Sequence, residues 1–253
     1  MHATPSLEER AKTLTIFGRK PVLEALSDDS LSITALHVAS SNKPGGILNA
    51  IRQLADARGI RIREHDRDSL SRISKNKKQD QGVALDISCP NFGQIDSLYA
   101  HADRKTFRAL ALDGITNPQN VGMIIRSAVA GGMDAIIYPQ KGVASLGALV
   151  IKASAGTIFK APICFCETLS DGLEDLSRAG FCLASLEGGA QNSLFDYRPE
   201  RGTVFVLGGE SDGVSQDTAR LASKTLRIPM RQGIESLNVA VAASLVAYAP
   251  QLG

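Results

Sequence analysis

The sequence predicts an α/β protein with two domains, the second of which is built on an open, largely parallel sheet. Segments with strand and helix patterns alternate along most of the 253 residues. The apolar content of 43% suffices for hydrophobic cores, and the length allows one large or two modest domains. Residues 1–106 carry 16 basic and 13 acidic side chains, whereas residues 107–253 carry 12 and 13, so the two halves differ in charge.

Composition narrows the class of protein. A net charge of +2 does not by itself indicate a polyanionic partner, so any nucleic-acid surface must be local. The four cysteines form no Cys-x-x-Cys pair, which fits a reducing compartment better than a disulfide framework or a zinc site. The start of the chain lacks the apolar segment of a signal peptide, and the nearly apolar stretch 239–249 is shorter than the roughly 20 residues that span a bilayer. We expect a soluble, cytoplasmic protein with no membrane segment and no metal.

Residues 1–88 are predicted to form a small α/β domain. The predicted elements are helix 19–26, strand 35–39, helix 47–57, strand 60–63, helix 67–73 and strand 83–87. Cys89-Pro90 breaks this pattern, so residues 89–106 are predicted to be a linker. Residues 52–78 carry nine basic and four acidic side chains, and the polar loop with Lys75, Lys77 and Lys78 is a candidate phosphate contact. A solvated basic surface without a partner is the alternative interpretation.

Residues 107–253 are predicted to form the second domain. Strands are expected at 107–112, 135–138, 181–186, 204–207 and 226–228, with helices at 120–130, 169–178, 216–222 and 236–248. Open parallel sheets bind ligands beyond the carboxyl ends of their strands, so the loops after the strands are the candidate sites. All four histidines lie before residue 107, which disfavours a histidine-based triad, and neither a P-loop nor a Rossmann glycine pattern is present.

Three loops in this half carry polar residues and glycines. Asn120, predicted as a helix N-cap, precedes Gly122 and Arg126. The sequence Gly208-Gly209-Glu210 follows a strand, and Ile228-Pro229-Met230 precedes Ser236-Leu237-Asn238. Each loop alone has an ordinary structural interpretation, such as a capped helix or a tight turn with Ser215 as N-cap.

Taken together and in this order, the three patterns resemble motifs 1, 2 and 3 of the SpoU (TrmH) family of RNA ribose 2′-O-methyltransferases, over about residues 107–250. The sequence Lys152-Ala-Ser-Ala-Gly156 is also similar to the family. Residues 17–26 and Gln81-Gly82 resemble the N-terminal L30e-like RNA-binding domain of members that act on ribosomal RNA. The resemblance implies a SPOUT fold, in which a parallel sheet with a deep trefoil knot holds S-adenosylmethionine.

The resemblance also implies functional residues. The cofactor is expected to contact Gly208, Gly209, Ile228, Met230 and Leu237, and the family's active-site positions match Asn120, Arg126, Glu210, Ser236 and Asn238. Arg126 is favoured as an anchor for the phosphate next to the reacting ribose, because a guanidinium normally stays protonated. This chain departs from the common pattern at Gly233, where many members place the glycine one residue earlier, and at Ala240, where serine is usual.

The function expected from the resemblance is 2′-O-methylation of a ribose in structured RNA, with a guanosine of 23S ribosomal RNA as the favoured target. A tRNA ribose methyltransferase is an alternative of the same class, and a non-catalytic RNA-binding or ribosome assembly factor is an alternative of another class. The segment 236–249 is apolar around most of its circumference, which predicts a homodimer, as the family resemblance also does.

Overall fold

Residues 12–209 and 212–252 are described by the structure, a computed structural model in which the chain divides after Pro90 into two units. Each unit has its own sheet. The first unit, within these residues, consists of β1 (Thr13–Phe17), α1 (Arg19–Leu26), β2 (Ile33–Ala39), α2 (Gly46–Ala57), β3 (Ile62–His65), α3 (Arg67–Ser74) and β4 (Val83–Ser88). The strand order is β1-β4-β2-β3. Strand β4 is antiparallel to β1 and β2, and β2 is parallel to β3.

The elements predicted in this half are confirmed with small shifts at their ends. Helix α1 has the predicted bounds, and the strand predicted at 60–63 runs from Ile62 to His65 instead. Strand β1 is an addition, and Leu14 and Ile16 point into the core from it in the alternation typical of a strand with one buried face. Side chains such as Leu36, Ile51 and Leu85 are fully buried, so this unit has a hydrophobic core of its own.

A polar network crosses the first sheet and uses one residue from each strand. His37 Nδ1 lies 2.9 Å from His65 Nε2, and His37 Nε2 lies 2.9 Å from Asp86 Oδ2. The Thr15 hydroxyl donates to Asp86 Oδ1 at 2.6 Å. Burial, and then the neighbouring His37 and Arg63, lower the pKa of His65. Burial opposes ionisation of Asp86, but the hydrogen bonds from His37 and Thr15 outweigh it and lower the pKa of Asp86.

The second unit contains the larger sheet. Its strands, within the described residues, are β5 (Gly93–Gln94), β6 (Arg108–Leu112), β7 (Ala135–Pro139), β8 (Ile163–Cys166), β9 (Cys182–Leu186), β10 (Asn192–Ser193), β11 (Thr203–Leu207) and β12 (Lys224–Arg227). The helices are α4 (Pro118–Ala130), α5 (Ala148–Ala153), α6 (Leu169–Arg178), α7 (Gln216–Leu221) and α8 (Val239–Leu252), with 3₁₀ turns at Ile95–His101 and Thr157–Lys160. The order is β10-β12-β9-β11-β6-β7-β8-β5, and all of these pairings are parallel.

The predicted parallel sheet is therefore confirmed, and its central strands explain the apolar runs of the sequence. Every residue of β7 and β11 is buried, as expected for strands that are covered on both faces. Leu173 of α6 packs with Ile137 and Val206 on one face. On the other, α4 and α8 pack closely: the Ser244 hydroxyl donates to Ser127 Oγ at 2.7 Å.

Residues 91–106, which the sequence predicts to be part of a linker, contribute β5 and a 3₁₀ turn to the second unit. Phe92, Ile95, Leu98 and Ala102 are buried, the last three in the same cluster as Phe107. Their spacing of three or four residues is helical, but the preceding Cys89-Pro90 obscures it. Strand β8 and helix α5 are also additions to the predicted elements.

Candidate functional site

The candidate site lies at the carboxyl ends of the central strands of the larger sheet. Leu112 of β6 and Leu207 of β11 are direct partners at those ends. The backbone amide of Asp113 donates to the carbonyl of Leu207 at 2.9 Å and extends the pairing by one residue. The first two motif loops therefore begin side by side.

The loop after β11 folds back tightly on itself. A Cβ at Gly208 would lie 2.0 Å from the carbonyl carbon of Gly213, and a Cβ at Gly209 would lie 2.9 Å from the carbonyl oxygen of Gly114. The amide of Gly213 donates to the carbonyl of Gly209 at 3.1 Å. Only glycine fits at residues 208 and 209 without displacing backbone. Glu210, which follows them, lies outside the described residues.

Helix α4 begins differently from the prediction. Its N-cap is Asn117, whose side chain accepts from the amide of Gln119 at 2.9 Å, and Pro118 takes the first helical position. The prediction of Asn120 as N-cap is wrong. Asn120 lies in the first turn and is 4% exposed, so its side chain faces inward instead of capping the helix. This inward orientation makes Asn120 available for a contact within the site.

Asn120 meets the third motif. The side-chain amide of Asn238 donates to Asn120 Oδ1 at 3.2 Å, across 118 residues of sequence. Asn238 Oδ1 accepts from the amide of Ala240 at 2.9 Å, so Asn238 also fixes the start of α8. The structure thus joins motifs 1 and 3 through two asparagine side chains.

Gly122 and Arg126, the other motif residues of α4, have different environments. A Cβ at Gly122 would lie 2.5 Å from that of Ala153, so this glycine permits α5 to approach α4. Arg126 is exposed, and among the described residues its guanidinium makes no hydrogen bond or ion pair with a protein side chain. Arg126 is therefore open to a ligand from solvent.

A cavity of about 720 Å³ lies beside these loops. Several predicted site residues line it: Gly208, Gly209, Ser236, Leu237 and Asn238. Ile228 and Met230 are half-buried and do not line this cavity, and neither do Asn120 and Arg126. The cavity is also lined by Leu186, Glu187 and Gly188, which lie outside the three sequence motifs. Their position at the carboxyl end of the strand predicted at 181–186 could have identified them, because ligands bind beyond the carboxyl ends of strands in such sheets.

The thiols of Cys164 and Cys166 are not candidates for nucleophilic catalysis. Burial raises the pKa of Cys164 and that of Cys166 to about 11, so both stay protonated near neutral pH. Among the described residues, no cluster of His, Cys, Asp or Glu is arranged to hold a metal ion. Among the described helices, none combines the length and apolar character that a bilayer span requires.

The basic loop of the first unit, which contains Lys75, Lys77 and Lys78, is anchored by a buried carboxylate. Asp80 is fully buried; it lies 2.5 Å from the Arg67 guanidinium and accepts from the Ser74 hydroxyl at 2.9 Å. Lys77 is paired with Asp68 at 2.8 Å. Lys75 and Lys78 are exposed and form no ion pair with the described residues, so they are the loop's available charges.

These features define a two-domain α/β protein with a cavity of small-molecule size in one unit and exposed lysines in the other. Two family models match the chain: the SpoU rRNA Methylase family over residues 108–248, and RNA 2′-O ribose methyltransferase substrate binding over residues 15–92. The first match covers more than half of the chain. The chain belongs to the SpoU rRNA methylase family and is an RNA methyltransferase of the tRNA/rRNA type. The predicted family and enzyme class are confirmed.

Curated relatives and solved structures agree with this assignment. The chain is 33% identical over 244 residues to an uncharacterized tRNA/rRNA methyltransferase of Mycobacterium ulcerans, covering 96% of this chain and 78% of the relative. A relative from Mycolicibacterium vanbaalenii with the same description is 34% identical over 236 residues, covering 92% and 74%. The fold is similar to that of the SpoU methyltransferase AviRb from Streptomyces viridochromogenes in complex with AdoMet, with a TM-score of 0.60 and 24% identity over 95% of this chain and 90% of that chain.

Proposed function

We propose that this protein transfers the methyl group of S-adenosylmethionine to the 2′-hydroxyl of a ribose in structured ribosomal RNA, with a guanosine of 23S RNA as the expected target. The meeting of the three motif loops carries the proposal. Asn120 and Asn238 are hydrogen-bonded, and Asn238 lines the same cavity as Gly208 and Leu237. These residues are distant in sequence, and packing of the fold alone does not require them to surround a cavity.

The residues around the cavity fit the proposed cofactor. Its volume lies within the roughly 300–1,000 Å³ of small-molecule sites. Gly208 and Gly209 line the cavity without side chains, Leu237 and Val239 supply apolar surface, and Ser236 adds a hydroxyl. S-adenosylmethionine supplies an electrophilic methyl group when bound. Ile228 and Met230 remain predictions as further cofactor contacts, and the trefoil knot remains a prediction of the resemblance.

The ribose hydroxyl is a weak acid and a poor nucleophile, so the chain must orient it and assist the loss of its proton. We propose that Arg126 binds the adjacent phosphate, for which its exposed guanidinium is suited, and that the phosphate relays the proton. Asn120, held by Asn238, would position Arg126 or the ribose. Ser236 would orient the third motif, and Glu210 would order the loops.

The first unit is proposed to capture the RNA. Its match to a substrate-binding model and its exposed Lys75 and Lys78 support this role. A separate RNA-binding unit supports ribosomal RNA over tRNA as the proposed substrate. We expect the protein to act in the cytoplasm. Methyl transfer to separated RNAs distinguishes this proposal from the tRNA alternative and from the non-catalytic alternative.

The test is methyl transfer from labelled S-adenosylmethionine to separated ribosomal RNA and tRNA. We expect label in ribosomal RNA, at a 2′-O position that is unmodified in cells lacking the gene. Label in tRNA alone would show that the substrate is tRNA and not ribosomal RNA. Binding of RNA with no label in either would favour the non-catalytic assembly factor.

We also propose a homodimer. The small residues of α8 partly serve packing within the chain, since Ala247 contacts Gly131. Val241 of α8 and Met123 of α4 nevertheless remain 48% and 41% exposed, and a second copy of the chain could cover them. Light scattering at micromolar concentration is expected to give the mass of a dimer, and a stable, active monomer would exclude this part of the proposal.

A further inference from the structure

Asp113 lies where the first two motif loops meet. Its carboxylate oxygen Oδ2 accepts a hydrogen bond from the backbone amide of Ser215 at 2.7 Å, across 102 residues of sequence. Its own backbone amide donates to the carbonyl of Leu207, just before the glycines. Asp113 therefore contacts Leu207, which precedes Gly208, and Ser215. We call the described residues 208–209 and 212–215 the glycine loop.

Two further contacts involve the described ends of the glycine loop. At its start, Gly209 packs against the carbonyl of Gly114, directly after Asp113. At its end, Ser215 is the N-cap of α7, and its hydroxyl accepts from the amide of Thr218. A carboxylate that receives a backbone amide before the first turn of a helix is favourably placed, because the amides there lack helical partners.

We propose that Asp113 is a positioning residue that holds the glycine loop in the conformation that lines the cavity. The inference rests on the proposed function, in which that cavity binds S-adenosylmethionine. Without the carboxylate, the end of the loop loses its tie to β6, and cofactor binding must then order the loop. The expected defect is in cofactor affinity and KM for the cofactor, with a smaller change in kcat at saturation.

The first test measures binding of S-adenosylmethionine by calorimetry. Asp113→Ala is expected to weaken the affinity about tenfold, in line with a partly exposed charge-assisted hydrogen bond. Asp113→Asn, which keeps an oxygen acceptor, should recover most of the loss. Asp217→Ala is the matched control, because Asp217 lies in the first turn of α7 and forms an exposed ion pair with Arg220. Wild-type affinity in Asp113→Ala would overturn the proposal.

The second test removes the donor. Ser215 has φ −62°, which proline can adopt. Ser215→Pro therefore removes the amide hydrogen that donates to Asp113, whereas Ser215→Ala removes only the side-chain hydroxyl. Ser215→Pro should weaken cofactor affinity more than Ser215→Ala does. In an Asp113→Ala background the two substitutions should have equal effects, because the hydrogen bond is already absent. Additive losses would overturn the assignment of this contact.

A third measurement needs no cofactor and separates this inference from the proposed function. Hydrogen exchange at the amides of Gly213 and Ser215 is expected to accelerate in Asp113→Ala, while β11 stays protected as in the wild type. Unchanged exchange at both amides would overturn the positioning role. If wild-type protein fails to bind S-adenosylmethionine but exchange still accelerates, the proposed function fails while the role of Asp113 in ordering the loop stands.

Discussion

Among single residues, the asparagines of the first motif show why residue type alone does not assign a role. Asn117 and Asn120 both stand near a predicted helix start. Asn117 caps it because Pro118 follows at the first helical position, which is a local pattern that the sequence contains. The bond between Asn120 and Asn238 joins residues far apart in the chain, so no local pattern could predict its geometry.

Arg126 provides a prediction at this scale. The Arg126 side chain is exposed and makes no hydrogen bond or ion pair with the described residues. Arg126→Ala should therefore abolish most methyl transfer while changing the free energy of unfolding by no more than about 0.5 kcal/mol. Cofactor affinity should stay near that of the wild type. Arg178→Ala is the control for loss of a surface charge, because Arg178 is an exposed helical arginine that pairs with Glu174. Activity loss in proportion to lost stability would indicate a structural role.

The polar network of the first sheet predicts a pH dependence. The pKa of His65 is lowered in the folded state, so the unfolded chain binds more protons, and stability should fall as the pH drops below about 6.5. The lowered pKa of Asp86 adds a loss that begins below about pH 4. Melting temperatures between pH 8 and pH 5 should decline less in His65→Gln than in the wild type. Equal slopes would show that His65 is not the responsible group.

Among elements, the sequence predicts the apolar central strands β6, β7 and β11, but not the strands β1, β5, β8 and β10 or the helix α5. The fully buried runs of β6, β7 and β11 contain enough apolar residues to be recognised, and the parallel arrangement follows from the helices between them. Helix α5 has only six residues and packs against Gly122 of α4, so it is stabilised by a tertiary contact. A sequence pattern cannot reveal an element that depends on a neighbour brought close by the fold.

Close packing of α4 against α8 predicts an effect of a single methyl group. A Cβ at Gly131 would lie 2.6 Å from that of Ala247, so Gly131→Ala should destabilise the second unit by about 1–3 kcal/mol. Gly147→Ala is the matched control, since the nearest atom to its Cβ would be 3.9 Å away and its φ is −129°. Chemical denaturation of both variants measures the difference, and equal stabilities would contradict the packing argument.

The basic loop predicts unequal roles for its lysines. Lys75 and Lys78 are exposed without an ion pair among the described residues, whereas Lys77 pairs with Asp68. Replacing Lys75 and Lys78 together with alanine should flatten the plot of log RNA affinity against log salt by up to about two units. Lys77→Ala should change the slope less, because its charge is already partly neutralised. An unchanged slope in the double variant would mean that RNA is held elsewhere.

For the whole molecule, composition and alternation predicted two units, but the junction depends on burial. Residues 91–106 are polar enough to be taken for a linker, yet Ile95, Leu98 and Ala102 contribute to the core of the second unit. Whether side chains in a mixed segment face solvent or a core is decided by the surface they meet. The charge difference between the halves carries no information on this point, since charge follows the surface and not the core.

The last prediction follows from that junction and concerns truncation. A chain of residues 91–253 should unfold cooperatively and bind S-adenosylmethionine, because it keeps the whole apolar cluster of the second unit. A chain of residues 107–253 exposes the cluster where Ile95 and Leu98 packed, and each lost aliphatic side chain costs about 2–5 kcal/mol. It should therefore melt at a lower temperature or aggregate. Both truncations should lose most affinity for RNA. Equal stability of the two truncated chains, measured by thermal unfolding, would place the boundary after residue 106 instead.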